Sequence, residues 1–151
     1  MSAFSKLAIA SDHAGFELKN EIIAHLKSLN IPAQDLGCYS KDSVDYPDYA
    51  AKVSGLISNH ETEAGILVCG TGVGMCMTAN KFPGVRAAVV SEAYSAKMSR
   101  AHNDANILCL GARVVDIAKA KEIVGIWVST AFEGGRHAGR VQKINHFDSK
   151  L

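Results

Sequence analysis

Short apolar runs alternate with longer amphipathic segments along most of this 151-residue chain. The short runs have the length of buried strands, and the segments between them repeat apolar residues at helical spacing, as at Leu18, Ile22 and Leu26. The pattern predicts strands at residues 7–10, 33–36, 64–69, 85–90 and 107–110. It predicts helices at residues 16–29, 48–59, 92–102 and 116–132, another helix after the glycine-rich turn that follows residue 69, and a short helix in the tail from 133 to 151.

Strands that alternate with helices predict an α/β fold, because successive parallel strands need a crossover between them. We expect a three-layer, Rossmann-like, doubly wound domain with a five-stranded parallel sheet. No repeat or linker divides the chain, so residues 1–151 are expected to form a single domain with a helical C-terminal tail. Ligands of such folds lie at the carboxyl ends of the strands. The positions to examine there are residues 12–13, 69–74, 91–92 and 111–113.

Three glycines, Gly70, Gly72 and Gly74, follow the third predicted strand and open a helix. Glycine allows close approach of the backbone, and a helix N-terminus offers free N–H groups, so this turn could hold a phosphate or a developing oxyanion. It is not a Walker A loop, because no Gly-Lys-Ser/Thr follows, and Met75 stands where a dinucleotide fingerprint would have its third glycine. A tight strand-to-helix turn without a ligand explains the glycines equally well.

Cys69 lies at the strand end, directly before this turn. A thiol beside a helix N-terminus can have a lowered pKa and serve as a base or a nucleophile. Taken alone, however, the residue is better explained as an inert core cysteine.

Other polar residues have both structural and functional interpretations. Asp12 and His13 end the first strand and could contact a sugar or cap the first helix. His102 and Asn103 end the fourth predicted helix, where a histidine can cap the helix or act as a general acid or base near neutral pH.

The tail carries Arg136 and Arg140, which share a face of a helix because they are four residues apart. Paired guanidinium groups make a phosphate clamp, and Arg113, at the end of the fifth strand, could join them. A solvated basic face is the simpler alternative.

Charge and composition limit the partners. The formal net charge of +1 gives no reason to expect nucleic acid or an anionic membrane, and no apolar stretch reaches the length of a transmembrane helix. The four cysteines form no CxxC pair and match no zinc spacing, and no signal peptide is evident, so we expect no metal, a reducing compartment and a cytoplasmic location.

Several ordered motifs resemble the family of type B ribose-5-phosphate isomerases and galactose-6-phosphate isomerase subunits, from about residue 7 to residue 140. The motifs are Ser11-Asp12-His13-Ala14-Gly15, Asp45-Tyr46-Pro47, Cys69 to Gly74, Asn80-Lys81, His102-Asn103-Asp104 and Glu133 to Arg140. The resemblance implies aldose–ketose isomerisation of ribose 5-phosphate and ribulose 5-phosphate, a step of the non-oxidative pentose phosphate pathway. It implies no cofactor, and a homodimer, or a tetramer built from it, with the active site at the subunit interface.

The resemblance also implies roles for individual residues. Cys69 would move the proton between C1 and C2 through an enediolate, and His102 would open the sugar ring, with Asp12 nearby. A second form of the family uses a glutamate after the glycine turn, but residues 75–77 are Met-Cys-Met here, which leaves Cys69 as the base. The remaining matched positions are sugar contacts at Asp12, His13, Tyr46 and Asn103, enediolate contacts at Gly70, Thr71, Gly72, Val73 and Gly74, and phosphate contacts at Arg113, Arg136, His137 and Arg140.

Two alternatives remain open at this point. One is an isomerase of a six-carbon substrate, galactose 6-phosphate or allose 6-phosphate. The other is a non-catalytic nucleotide-binding module, although the missing third glycine and the missing Walker lysine argue against it.

Overall fold

The computed structural model describes residues 2–150 and has the α/β architecture that the sequence predicts. The five strands are β1 Leu7–Ser11, β2 Ala33–Asp35, β3 Ala64–Cys69, β4 Ala87–Val89 and β5 Ile107–Gly111. The helices are α1 Phe16–Ser28, α2 Tyr46–Ser58, α3 Val73–Ala79, α4 Ala93–Ala101, α5 Ile117–Ser129 and α6 Arg136–His146, followed by a 3₁₀ turn at Phe147–Lys150.

All strand pairs are parallel, in the order β2-β1-β3-β5-β4. One apolar cluster joins one face of the sheet to α1, α4 and α5, and a second joins the opposite face to α2 and α3. The sheet is therefore the middle of three layers, and its central strands β1, β3 and β5 are buried along their whole length. This confirms the predicted five-stranded parallel sheet with helices on both faces.

The direction of winding changes at β1. From β1 the chain moves outward to β2, then crosses to β3 on the other side of β1. Loops that leave neighbouring strands in opposite directions open a crevice between the carboxyl ends of the two strands. The segments after Ser11 and after Cys69 border this crevice.

A side chain covers the first residue at the outer edge of β4. The Asn80 amide nitrogen donates to the Ala87 carbonyl at 3.0 Å, and the Ala87 N–H donates to the Asn80 amide oxygen at 2.8 Å. Both backbone groups of Ala87 are thus satisfied without a further strand.

Three boundaries differ from the predictions by two residues or more. Helix α2 begins at Tyr46 and not at residue 48, because Pro47 is tolerated in the first turn of a helix. Strand β4 is three residues long, shorter than the predicted six. Helix α5 ends at Ser129 because Thr130 is extended, with its carbonyl accepting a hydrogen bond from Arg100 at 3.2 Å.

Among the helices of the described residues, none has both the length and the apolar character required to cross a membrane.

An ion pair with a buried ammonium group fixes the segment that follows β2. Lys19 is fully buried on α1, and its ammonium donates to both carboxylate oxygens of Asp35 at 2.8 Å. Asp35 also accepts the Gly37 N–H at 2.9 Å, so the pair ties α1 to the loop that leads toward the crevice.

We expect Asp35→Ala to lower the free energy of unfolding by about 3 kcal/mol, because it leaves the Lys19 ammonium buried without a counter-charge. Urea denaturation measures the change. The matched control is Glu122→Ala, which removes the carboxylate of the exposed Lys119–Glu122 pair and should cost at most about 0.5 kcal/mol. Equal losses in the two variants would contradict the prediction.

Candidate active site

Cys69 is the last residue of β3, and its thiol lies under the glycine turn. Its side chain is only 4% exposed, and the Gly72 N–H donates to its sulfur at 3.1 Å. An N–H donor aimed at sulfur stabilises a thiolate more than a thiol. The location therefore fits both interpretations of Cys69, an inert core cysteine and a buried base, and the Gly72 N–H is the contact that a base would use.

The turn requires its central glycine. Gly72 has φ of +79°, in the left-handed region, and a Cβ there would lie 2.9 Å from the Leu110 backbone carbon. This conformation turns the Gly72 N–H back toward Cys69 and begins α3 directly afterwards. The Thr71 hydroxyl accepts the Val73 N–H at 3.3 Å, which satisfies one of the amide groups that the helix start leaves free.

Two predicted substrate contacts pack against this turn. The ring of Tyr46, from the start of α2, occupies the space where a Cβ of Gly74 would lie. The guanidinium of Arg113 lies 3.2 Å from the position of a Cβ on Gly70, and the Arg113 N–H donates to the Gly70 carbonyl at 3.0 Å. Because Gly70 and Gly74 carry no side chains, the phenol of Tyr46 and the guanidinium of Arg113 can pack against the turn at the rim of the crevice.

Asp12 and His13 leave β1 on the other side of the crevice. Asp12 is buried, and its carboxylate accepts the Gly15 N–H at 3.1 Å, so it shapes the start of α1. The Nδ1 of His13 accepts the Val44 N–H at 3.2 Å. This bond assigns the proton of the neutral ring to Nε2, which is left as a donor.

These residues form what we call the carboxyl-edge cluster. Its members, all predicted from the sequence, are Asp12, His13, Tyr46, Cys69, Gly70, Thr71, Gly72, Val73, Gly74 and Arg113.

The other predicted residues form a separate amino-edge cluster, which comprises His102, Asn103, Arg136, His137 and Arg140. The rings of His102 and His137 are stacked, with centroids 4.1 Å apart and an angle of 14° between their planes. The Oε1 atom of Glu133 lies 3.7 Å from the Nε2 of His102 and 3.8 Å from that of His137.

The two clusters lie at opposite edges of the sheet. Helix α4 leaves the carboxyl end of β4 and returns to the amino end of β5, so His102 at its C-terminus lies near the strand starts. Two bonds confirm this position: Arg86, before β4, donates to the Asp104 carbonyl at 3.0 Å, and Gly65, in β3, donates to the Asn106 carbonyl at 2.9 Å. Five residues of β5 span roughly 13 Å between the edges. Within one chain, Arg113 therefore does not join Arg136 and Arg140.

The electrostatics of the amino edge are dominated by positive charge. Burial lowers the pKa of His137, and His102, Arg136 and Arg140 lower it further, while Glu133 opposes the shift. Across residues 2–150, no carboxylate lies within ion-pairing distance of Arg113, Arg136 or Arg140. These guanidinium groups remain available for an anion.

The sequence motifs contained, but assigned no role to, the residues that hold the amino-edge cluster in place. Asp104 has a left-handed φ of +49° and accepts hydrogen bonds from Arg86 at 3.3 Å and Arg100 at 3.0 Å, which fixes the turn after His102. The Glu133 N–H donates to the Ala101 carbonyl at 3.0 Å and brings α6 beside this turn. The spacing of Glu133 and His137, four residues apart, was the available signal for a pair.

Glu92, one of the positions to examine at the carboxyl edge, has a structural role. Its carboxylate accepts the Ser95 N–H at 2.9 and 3.1 Å and caps α4. Hydrogen bonds from Ser95 accordingly lower its pKa.

Two more thiols lie close to Cys69. A hydrogen bond with Cys109 lowers the pKa of Cys76 to about 7, against the opposing effect of burial. Burial raises the pKa of Cys109 well above its usual value. Cys76 is half-buried on α3, and its thiol donates to the Ala87 carbonyl of β4 at 3.4 Å, so it is not placed in the site.

Comparisons with known proteins identify the family. Residues 7–144 match the family model described as Ribose/Galactose Isomerase. The chain is 48% identical to ribose-5-phosphate isomerase B of Escherichia coli over 145 residues, which cover 96% of this chain and 97% of that protein. A structure of the Clostridium thermocellum ribose-5-phosphate isomerase B is 49% identical, with a TM-score of 0.94 and coverage of 96% of this chain and 98% of that one.

A further similar structure carries a ligand. It is the ribose-5-phosphate isomerase B of Mycoplasma genitalium with bound ribulose 5-phosphate, which is 42% identical, with a TM-score of 0.92 and full coverage of both chains.

We expect Gly72→Ala to lower the free energy of unfolding by about 2 kcal/mol, because its φ is left-handed and its new Cβ meets the Leu110 backbone. Thermal or urea denaturation measures the loss. Gly55→Ala is the control: it lies in α2 with no atom within 4 Å of the added Cβ, and should be about 0.5–1 kcal/mol more stable. A Gly72→Ala protein as stable as the wild type would show that the turn tolerates a side chain.

Proposed function

The chain belongs to the ribose/galactose isomerase family, and we propose that it interconverts ribose 5-phosphate and ribulose 5-phosphate. The observation that carries the proposal is the Cys69 thiol, buried at the crevice between β1 and β3 with the Gly72 N–H aimed at its sulfur. Relatives of this degree of similarity bear the name ribose-5-phosphate isomerase B, and one of them holds ribulose 5-phosphate.

Isomerisation requires a base beside C2 of the open-chain sugar. In our proposal the Cys69 thiolate removes the C2 proton, which leaves an enediolate, and returns that proton to C1 to give the ketose. The proton of the C2 hydroxyl passes to O1, so that no external oxidant or reductant is needed. A buried thiolate suits this task because it is shielded from water and its charge is stabilised by an N–H group.

The negative charge that develops on the enediolate oxygens needs fixed donors. We propose that the amides from Gly70 to Gly74, together with the Thr71 hydroxyl, supply them. Asp12, His13 and Tyr46 surround the same crevice and would bind the sugar hydroxyls. The His13 Nε2–H is a suitable donor, since its Nδ1 is already occupied by Val44.

Two further roles belong to the amino-edge cluster. We propose that His102 protonates the ring oxygen of the cyclic sugar and that Asn103 contacts a hydroxyl. Arg136 and Arg140, with His137 beside them, and Arg113 from the other cluster, would bind the phosphate. Three guanidinium groups without carboxylate partners among the described residues are suited to bind the dianion of a phosphate monoester.

A complete site then requires two chains. The two clusters lie at opposite edges of one sheet, but a second copy can place its His102 and arginines beside the Cys69 of the first. Exposed apolar side chains beside the glycine turn support such an interface: Val73, Met77, Val89 and Tyr94. We therefore propose a homodimer with two shared active sites, or a tetramer built from two such dimers.

We also propose a reducing, cytoplasmic location, because all four cysteines are free thiols and the mechanism depends on one of them.

The direct test is an isomerase assay with purified protein, in which we expect turnover of ribose 5-phosphate and slower turnover of allose 6-phosphate or galactose 6-phosphate. Cys69→Ala should lower kcat by about 10³-fold and abolish deuterium incorporation from D₂O at C2. Cys76→Ala is the matched thiol control and should retain most of the activity. A preference for a six-carbon substrate would change the assigned substrate, and deuterium incorporation by Cys69→Ala would remove Cys69 from the mechanism.

The shared site predicts complementation between two inactive variants. A mixed dimer of Cys69→Ala and His102→Asn chains contains one site with both groups intact, so a randomised one-to-one mixture should recover about one quarter of the wild-type rate. Co-expression with two different affinity tags allows the mixed dimer to be isolated and assayed. If each chain carried its own complete site, mixing would recover nothing.

A further inference from the structure

His102, Glu133 and His137 form a compact ligand set in the amino-edge cluster. Their nearest ligand atoms all lie within 4.8 Å of one another. The carboxylate oxygen of Glu133 is 3.7 Å from one imidazole Nε2 and 3.8 Å from the other. These separations are too long for hydrogen bonds, so the three groups converge on a small volume without satisfying each other.

We propose that these three residues bind a divalent transition-metal ion of the Zn²⁺ type. Two imidazole nitrogens and one carboxylate oxygen are a common ligand set for such ions, and imidazole favours Zn²⁺, Co²⁺ or Ni²⁺ over Mg²⁺ or Ca²⁺. Tetrahedral coordination with bonds of about 2.0–2.1 Å separates the ligand atoms by about 3.4 Å. The distances from the Glu133 oxygen to the Nε2 atoms of His102 and His137 exceed that value by only a few tenths of an ångström.

The backbone holds the ligand set before any ion arrives. The His102 N–H donates to the Met98 carbonyl at 2.9 Å, and the Glu133 N–H donates to the Ala101 carbonyl at 3.0 Å. His137 lies in the first turn of α6, where its N–H donates to the Gly134 carbonyl at 3.0 Å. Because these anchors connect the ligands through neighbouring residues, binding requires side-chain adjustment and no rearrangement of the fold.

One side of the set is open to solvent. The side chain of His137 is 8% exposed, but those of His102 and Glu133 are 34% and 57% exposed. A bound ion would therefore keep a fourth position for water or another small ligand, as in open three-ligand zinc sites. Arg136 and Arg140 lie close enough to His137 to influence its pKa, and their positive charges oppose the binding of a cation. We therefore expect the ion to bind more weakly than at a structural zinc site.

The consequence for activity rests on the proposed function. The ion would occupy the Nε2 of His102 and so prevent it from protonating the ring oxygen. The metal is thus an inhibitor, and catalysis itself requires none.

Binding is tested without reference to activity, in the Cys69→Ala protein, so that the proposed catalytic thiol cannot bind the probe. Titration calorimetry with Zn²⁺ should give one equivalent per chain. Co²⁺ should give visible d–d bands without a thiolate-to-cobalt charge-transfer band. Adding Glu133→Gln or His137→Asn should weaken binding by at least about tenfold.

The matched control is His60→Asn with Glu61→Gln, an exposed histidine–glutamate pair that should leave binding unchanged. Glu133 is on the surface, so its variant is expected to fold even if His137→Asn does not. Absence of Zn²⁺ binding, or binding that Glu133→Gln leaves unaltered, would overturn the proposed site.

Inhibition is measured separately, on the wild-type protein. Zn²⁺ should slow the isomerisation of ribose 5-phosphate reversibly, with recovery on addition of EDTA. In Glu133→Gln the inhibition constant, relative to the metal-free rate of that variant, should rise by about the same factor as the dissociation constant. Binding without inhibition would leave the metal site standing and would count against the role of His102 in the proposed function.

Discussion

The parallel sheet imposes the constraint on which the rest of the molecule depends. Every strand runs in one direction, so each connecting helix must return from the carboxyl edge to the amino edge. A residue that ends a strand, such as Cys69, and a residue that ends a helix, such as His102, are consequently separated by the length of a strand. The chemistry that the family resemblance implies needs both, and the fold of one chain keeps them apart.

The fold could be predicted because local patterns decide it. Buried strands of four to six apolar residues and the 3.6-residue period of α1 and α5 identify the elements, and their alternation determines the parallel arrangement. The boundaries were less accessible, because they depend on distant contacts. Helix α5 ends where Arg100, thirty residues earlier, donates a hydrogen bond to the carbonyl of Thr130. No local sequence pattern predicts that bond.

The candidate site was predictable in part for the same reason. Cys69 and its glycines are consecutive, so their sequence alone describes a turn, but the N–H that Gly72 turns toward the sulfur emerges only with its positive φ. The contacts of His13 with Val44 and of Glu133 with His102 join residues that are distant in the sequence. Residue type indicates that these groups can react, whereas only the fold shows which of them meet.

The side-chain amide of Asn80 completes the sheet at β4 by bonding both backbone groups of Ala87. An incoming strand would therefore find no vacant backbone group at Ala87, so two copies that met at this position would have to pack through their side chains. Packing between complementary surfaces closes on itself after a fixed number of subunits, whereas edge-to-edge pairing can continue without limit. A single asparagine thus favours a finite assembly over a fibre, and it does so at the edge nearest to the exposed apolar side chains that an interface would use.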